Sequence, residues 1–277
     1  MSESTLPSIS IAPTFARRHI RVLRIVQHVA PVITGVVLIA LWQVVVLAQI
    51  YPEFIIPPPA AVADKFLEVV RDGRLWMHTQ VTLTAVLSSL ALGSMCGLLL
   101  GYLIAKSALL ENFISPLVVA FQATPVVAYA PLLVIWFGSG LESKVITGTL
   151  IVFFPMLMNT IVGIRSVPRG LHDVMRVSRA SRWQFFAKLE VPAAMPVLMS
   201  GLKMSATLAV IGAVVGEFVA ARAGLGFLIT TARGTFDTPL VIVVVLTLTT
   251  LALALYGMVN LFAHYALAWQ RRANSSR

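Results

Sequence analysis

The chain has 277 residues, of which 58% are hydrophobic and only 12% charged, with a mean hydropathy of +0.89. Soluble domains carry about 25% charged residues, so this chain lacks the polar surface to cover a globule in water, and its apolar content equally excludes disorder. The formal charge of +10 would point to nucleic acid in a soluble protein, but in a membrane chain cations record topology, and no nucleic-acid partner is expected.

Taken in chain order, residues 25–52, 75–105, 112–141, 145–164 and 238–270 contain no Asp, Glu, Lys or Arg. Each run is long enough for a span, since about 20 apolar residues of helix cross a bilayer core of about 30 Å. A further candidate, from about Pro196 to Ala220, is interrupted by Lys203 and Glu217, which fall near its two ends, where charged groups can reach the headgroups. The expected fold class is therefore all-α, a polytopic membrane helix bundle with about six transmembrane helices. Arg17, Arg18, Arg21 and Arg24 precede the first run, whose apolar stretch exceeds the roughly 7 to 15 residues of a signal peptide, so a retained anchor is expected. If loops alternate sides, 15 Lys and Arg fall on the side of the N-terminus and 6 on the other, which places both termini in the cytoplasm. The expected organisation is a cytoplasmic segment 1–28, a transmembrane domain 29–270 and a cytoplasmic tail 271–277, in a multi-pass protein of a prokaryotic plasma (inner) membrane.

After the first span, Ile56-Pro57-Pro58-Pro59 is a rigid stop. Val62, Phe66, Val69 and Val70 follow at helical spacing with charges between them, an amphipathic surface helix. Gly93, Gly97 and Gly101 recur every four residues in the second span, the pattern of a close helix pair, and Gly212 with Gly216 repeats it. Cys96 is read as a small core filler. In the third span Pro125 and Pro131 remove backbone donors near Gln122, Thr124 and Tyr129; a path-facing segment and a simple kink both fit. Glu217 fits either a gate or substrate contact or an interfacial carboxylate bonded to nearby backbone. Arg222 and Arg233 fit either an anion attractor or solvated loop charges. Trp136 and Trp269 stand where interfacial anchors belong.

The five histidines show no HxxxH or HExxH spacing, and GxxxxGK[ST] and GxSxG are both missing, since no Gly-Lys pair occurs. No metal site, no ATP site and no catalytic set is expected, so the chain is read as no enzyme, and its energy as supplied by a partner.

The longest loop on the N-terminal side, about 165–192, reads as two short helices. Pro168 can open one through Leu171, Val174, Met175 and Val177; Ser181 can cap a second with Trp183, Phe185, Phe186 and Leu189, stopping before Pro192. An exposed aromatic and basic hairpin of this kind is a docking surface.

The stretch Asp173 to Pro196 resembles the coupling loop of ABC importer permeases, most of all their nitrate/taurine/aliphatic sulfonate branch, where the loop continues Ala-Ser-Arg-Trp, here Ala180 to Trp183, and ends Pro-Ala-Ala-x-Pro, here Pro192 to Pro196. Ile56 to Phe66, Pro125 to Gly138, and Gly216-Glu217 with Gly224-Leu225-Gly226 resemble further segments of that branch. Asp173-Val174-Met175 replaces the family's Glu-Ala-Ala, Arg179 stands where it has Gly, and Ala85 occupies a position where Arg is frequent. The resemblance implies the binding-protein-dependent permease subunit of an ATP-driven importer, with a path for a small solute, an anion such as a sulfonate, taurine or nitrate. It implies no cofactor in this chain, with ATP and Mg held on a cytoplasmic ABC ATPase subunit. The other partners implied are a second permease copy, an extracytoplasmic solute-binding protein and membrane lipid. Asp173, Arg176 and Arg179, with Ala180, Ser181, Arg182 and Trp183, would meet the ATPase; Gln122, Pro125, Tyr129, Pro131 and Glu217 would line the path. The rival reading is a secondary carrier or channel that works without an ATPase.

Overall fold

The computed structural model describes residues 14–269, with side chains described at residue 30 and from residue 32 onward. The expected N-terminal arginines' side chains and the tail 271–277 lie outside that range. Two compact units divide at Ala61 and Val62.

In the first unit, α1 (Thr14–Leu47) is apolar along the part whose side chains are described, and Val36, Leu38, Leu41 and Val44 are each more than half exposed. Lipid, not water, suits such a surface. The Trp42 indole donates to the Pro57 carbonyl at 3.0 Å and so holds the turn before the proline run.

In the second unit, α2 (Pro59–Arg71) buries Val62 and Val69, while Lys65 pairs with Glu68 at 2.9 Å and Asp237 at 3.3 Å. Gly73 turns the chain at φ 77 into α3 (Arg74–Lys106), and Asp72 accepts the Arg74 N–H at 2.9 Å. That backbone donor holds the Asp72 carboxyl below its usual range. Ser107 caps α4 (Ala108–Ala123) by accepting from the Leu110 N–H, and α5 (Val126–Phe137) follows. Next come α6 (Leu141–Arg165), α7 (Arg169–Val177), α8 (Arg182–Phe185), a π-helical turn (Phe186–Glu190), α9 (Val191–Ala220), α10 (Leu225–Gly234) and α11 (Thr238–Ala266).

Among the described residues, four continuous helical stretches are long and apolar enough to cross a membrane: α3, α6, the run Arg182–Ala220 and α11. The third expected span is not one helix. It breaks by 96° between α4 and α5 at Thr124-Pro125, because Pro125 has no N–H to carry the ladder across and biases Thr124 to an extended conformation, φ −91 and ψ 125.

The core is a seam of α6 between α3 and α9. A Cβ at Gly93 would lie 2.7 Å from the Val152 Cβ, one at Gly97 2.8 Å from that of Met156, and one at Gly101 2.7 Å from that of Thr160. Only hydrogen on that face lets the two backbones approach so closely. Gly212 and Gly216 meet the Gly148 and Lys144 backbone of α6 in the same manner. Ala85 is fully buried in the cluster with Val86, Val152, Ala206 and Ala213, so this packing has no room for a side chain as long as arginine. Cys96 corrects its expectation: it lies on the exposed side of α3, one residue before Gly97, which takes the contact face.

Candidate functional site

The hairpin between α6 and α9 is built by local signals. The Pro168 carbonyl accepts from the Leu171 N–H at 3.1 Å as α7 begins, and α7 ends at Ser178. Arg179 then adopts φ 50, and the N–H groups of Arg179 and Ala180 close back on the carbonyls of Arg176 and Met175 at 2.9 and 3.0 Å. The left-handed turn that a Gly would make freely is thus made by an arginine, at about 1 kcal/mol of strain. Ser181 opens the next helix with a reciprocal cap. Its hydroxyl accepts the Gln184 N–H at 3.3 Å, and its N–H donates to the Gln184 side chain at 2.8 Å.

The second arm does not stop before Pro192. It passes through the π-helical turn, in which the Val191 N–H bonds to the Phe186 carbonyl, and joins α9 as one continuous helix. The wide turn shifts the register just where Pro192 lacks a donor, so the proline falls in the first turn of α9. A membrane helix therefore reaches without interruption into the hairpin.

The root of the hairpin is fixed to the end of α3. Glu190 is 1% exposed and takes the Lys106 ammonium on one oxygen and the Tyr102 hydroxyl on the other, the latter at 3.1 Å. The Phe186 ring meets Tyr102 edge-on at 5.3 Å, and His172 stacks on Phe185 at 6.0 Å to hold α7 against the second arm. The tip stays open. Val177 is 85% exposed, Trp183 71% and Val174 62%, flanked by exposed Asp173, Arg176, Arg179, Ser181 and Arg182, with Ala180 half-buried. Asp173 and Arg176 approach only to 3.8 Å, both in solvent, an ion pair of little worth.

The remaining sequence-derived residues fall into two places. Gln122, Pro125, Tyr129 and Pro131 gather at the α4–α5 break, exposed except for half-buried Tyr129, whose ring stands 6.3 Å from Phe121. Glu217 is separate from that group and 1% exposed, with its oxygens engaged by the Thr82 hydroxyl at 2.8 Å and the Gly226 N–H at 2.6 Å. The Leu225 N–H donates to the Thr82 hydroxyl at 2.7 Å, and the Gly224 N–H to His78 Nδ1 at 3.0 Å. Three successive donors that open α10 are thereby satisfied from α3 and α9, a cap supplied by the tertiary structure. Lys144 adds a bond to the Ala223 carbonyl at 3.2 Å.

Sequence reasoning missed Tyr102, Lys106 and Glu190 as the hairpin's anchor, and His78 and Thr82 as the partners of Glu217. A usable signal was present in each case: an acidic and a basic residue bordering apolar runs, Glu190 and Lys106, and polar His78 and Thr82 early in the second span.

A family model described as binding-protein-dependent transport system inner membrane component matches residues 93–265. The chain is 44% identical over 238 residues to a riboflavin transport system permease protein of Chloroflexus aurantiacus, covering 86% of this chain and 89% of that one. It is 30% identical over 246 residues to a formylaminopyrimidine transport permease protein of Halalkalibacterium halodurans, with 89% and 98% covered. Against the taurine transport system permease protein of Escherichia coli it is 30% identical over 204 residues, with 72% and 74% covered. An inward-facing structure of the MetNI methionine ABC transporter shares the fold, with a TM-score of 0.59 over 68% of this chain and 93% of that one at 21% identity. With the hairpin and the spans, these matches give the assignment: the chain belongs to the binding-protein-dependent transport system inner membrane components, the transport permeases of ABC importers rather than enzymes.

Proposed function

We propose that this chain forms the translocation path of an ATP-driven importer and that its 165–192 hairpin couples it to an ATPase carried on another chain. The observation that carries the reading is the continuous helix from Arg182 to Ala220, which joins an exposed, basic and aromatic tip to the middle of the bundle. Asp173, Arg176, Arg179 and Trp183 are the groups offered to a groove on the ATPase. Two copies of the chain pair in the membrane, ATP and Mg bind on the ATPase subunits, and an extracytoplasmic binding protein delivers solute. Both termini and the hairpin lie on the cytoplasmic side, as the basic residues require. ATP binding supplies the free-energy difference between the two states, because it draws the ATPase subunits together and moves the hairpins with them. Hydrolysis restores the starting state.

The α4–α5 break is the path-facing element. Freed carbonyls at membrane depth are tolerated where protein or a wet cavity satisfies them, and Gln122 and Tyr129 at the break add polar side chains. Glu217 serves the path from behind, through the position of α10. The solute is a small one. Similarity supports two chemical classes: heteroaromatic compounds, as the riboflavin and formylaminopyrimidine permeases are named, and sulfonates, as the taurine permease is named. The separate binding protein chooses between them.

The test is co-purification of the ATPase with Asp173→Arg and Trp183→Ala chains. Attachment and transport fall in both while the bundle remains folded. Unchanged attachment and unchanged transport in both would overturn the coupling role.

A further inference from the structure

Two cavities meet at the root of the hairpin. One, of about 680 Å³, is a groove between Leu98 and Leu99 of α3, Met156 and Ile164 of α6, and Met195 and Leu202 of α9. Apart from Tyr102, Thr160 and Arg182 its lining is apolar. The Thr160 hydroxyl is spent on the Met156 carbonyl at 2.7 Å, and the Tyr102 hydroxyl on Glu190, so a polar solute finds almost nothing to bond. From Val191 to Leu202 the groove runs about 16 Å along α9 at 1.5 Å per residue. That is close to one leaflet's share of a hydrocarbon core of about 30 Å.

The second cavity, of about 660 Å³, shares Tyr102 and Arg182 with the first and is polar. It carries Lys106, Arg176, Arg182 and His172 against one acidic group, Glu190. Lys106 and Tyr102 already serve Glu190 and Arg176 approaches Asp173 at 3.8 Å, whereas among the described residues Arg182 makes no ion pair. The excess charge is positive, and it lies where the spanning helices end.

We propose that the paired cavities hold one membrane phospholipid with an anionic headgroup, an acyl chain lying in the α3–α6–α9 groove and the phosphate facing Arg182. An apolar slot one leaflet deep with a cationic mouth at the helix ends fits that molecule at both ends, and basic pockets between spanning helices select anionic headgroups. Trp183, which borders the groove at the mouth, gives the lipid contact with the hairpin, so lipid composition bears on the hairpin's set. This inference stands apart from the transport reading, since it requires only that the chain span a bilayer.

The test uses the full chain without any ATPase, delipidated in detergent and returned to an equal mixture of phosphatidylglycerol and phosphatidylcholine, with retained lipid counted by native mass spectrometry. The wild type keeps one phosphatidylglycerol with a preference of about fivefold or more, Arg182→Gln lowers that preference about fivefold, and Leu99→Trp, which fills the open lip of the groove, removes retention of either lipid. Equal retention of the two lipids by the wild type, or a preference that survives Arg182→Gln undiminished, overturns the proposal. Retention by folded Leu99→Trp at the wild-type level does the same. Arg182 is exposed, so its variant decides the matter even if the tryptophan variant does not fold.

Discussion

The continuous helix that ends in α9 carries a buried acidic side chain near each end, and the two are held by different chemistry. Glu190, at the hairpin end, meets a cation: Lys106 reaches it from the last turn of α3 while remaining 42% exposed. Glu217, at the far end, meets neutral donors, the Thr82 hydroxyl and the Gly226 N–H, and the same region caps α10. An ion pair with one partner in solvent tolerates small shifts of geometry, because Coulomb attraction falls slowly with distance. A set of short bonds to successive backbone N–H groups does not. The end that adjoins the hairpin is therefore fastened compliantly, and the end that orders α10 is fastened rigidly.

Substitutions break this contrast in a definite order. Glu217→Ala strands the Gly226 N–H and the Thr82 hydroxyl in a buried site and lowers stability by about 3 kcal/mol, read as a loss of thermal stability in detergent. A variant as stable as the wild type would show that the α10 cap is not rigid. Gly97→Leu forces a side chain against Met156, where even a Cβ would lie 2.8 Å away. It lowers stability by about 1 to 3 kcal/mol or separates α3 from α6, as thermal unfolding or a disulfide placed across the seam would register. Lys106→Ala leaves Glu190 without its cation but with the Tyr102 hydroxyl. Because Lys106 is part-exposed, the loss is about 1 to 2 kcal/mol rather than the full cost of breaking a buried pair, and Glu190→Gln in the same chain recovers most of it. A loss as large as that of Glu217→Ala would erase the difference between the two ends. The smallest effect belongs to Arg179→Gly, which removes the strain at φ 50 but adds freedom to the unfolded chain, for a net gain of at most about 1 kcal/mol.

The spans were legible because bilayer crossing excludes charge, and long charge-free runs survive in the sequence as gaps. The hairpin was legible because its caps are local: Pro168 and Ser181 act on residues within one turn. Arg179 follows the same logic, since the resemblance places a Gly, the residue suited to a left-handed turn, at that position. Local cues failed at Pro192, where a helix stop was expected, because a π-helical turn that begins six residues earlier, at Phe186, changes what a proline costs. The anchors were illegible for another reason. Thr82 and Glu217 are 135 residues apart in sequence, and Lys106 and Glu190 are 84 apart. Nothing at either partner specifies the other until the Gly93, Gly97 and Gly101 seam and its counterpart on α9 bring the helices together. The break at Pro125 was visible as two missing donors, but its 96° angle depends on what packs around it.

The central claim, that the hairpin is a cytoplasmic handle for an ATPase, is tested most directly at Val177, the most exposed of its apolar residues. In a Cys96→Ser background, Val177→Cys is exposed to a membrane-impermeant thiol reagent in intact cells and in inverted vesicles. The account predicts labelling in inverted vesicles only, with protection when the ATPase is bound. Labelling in intact cells, or labelling in vesicles that the ATPase does not diminish, would contradict it.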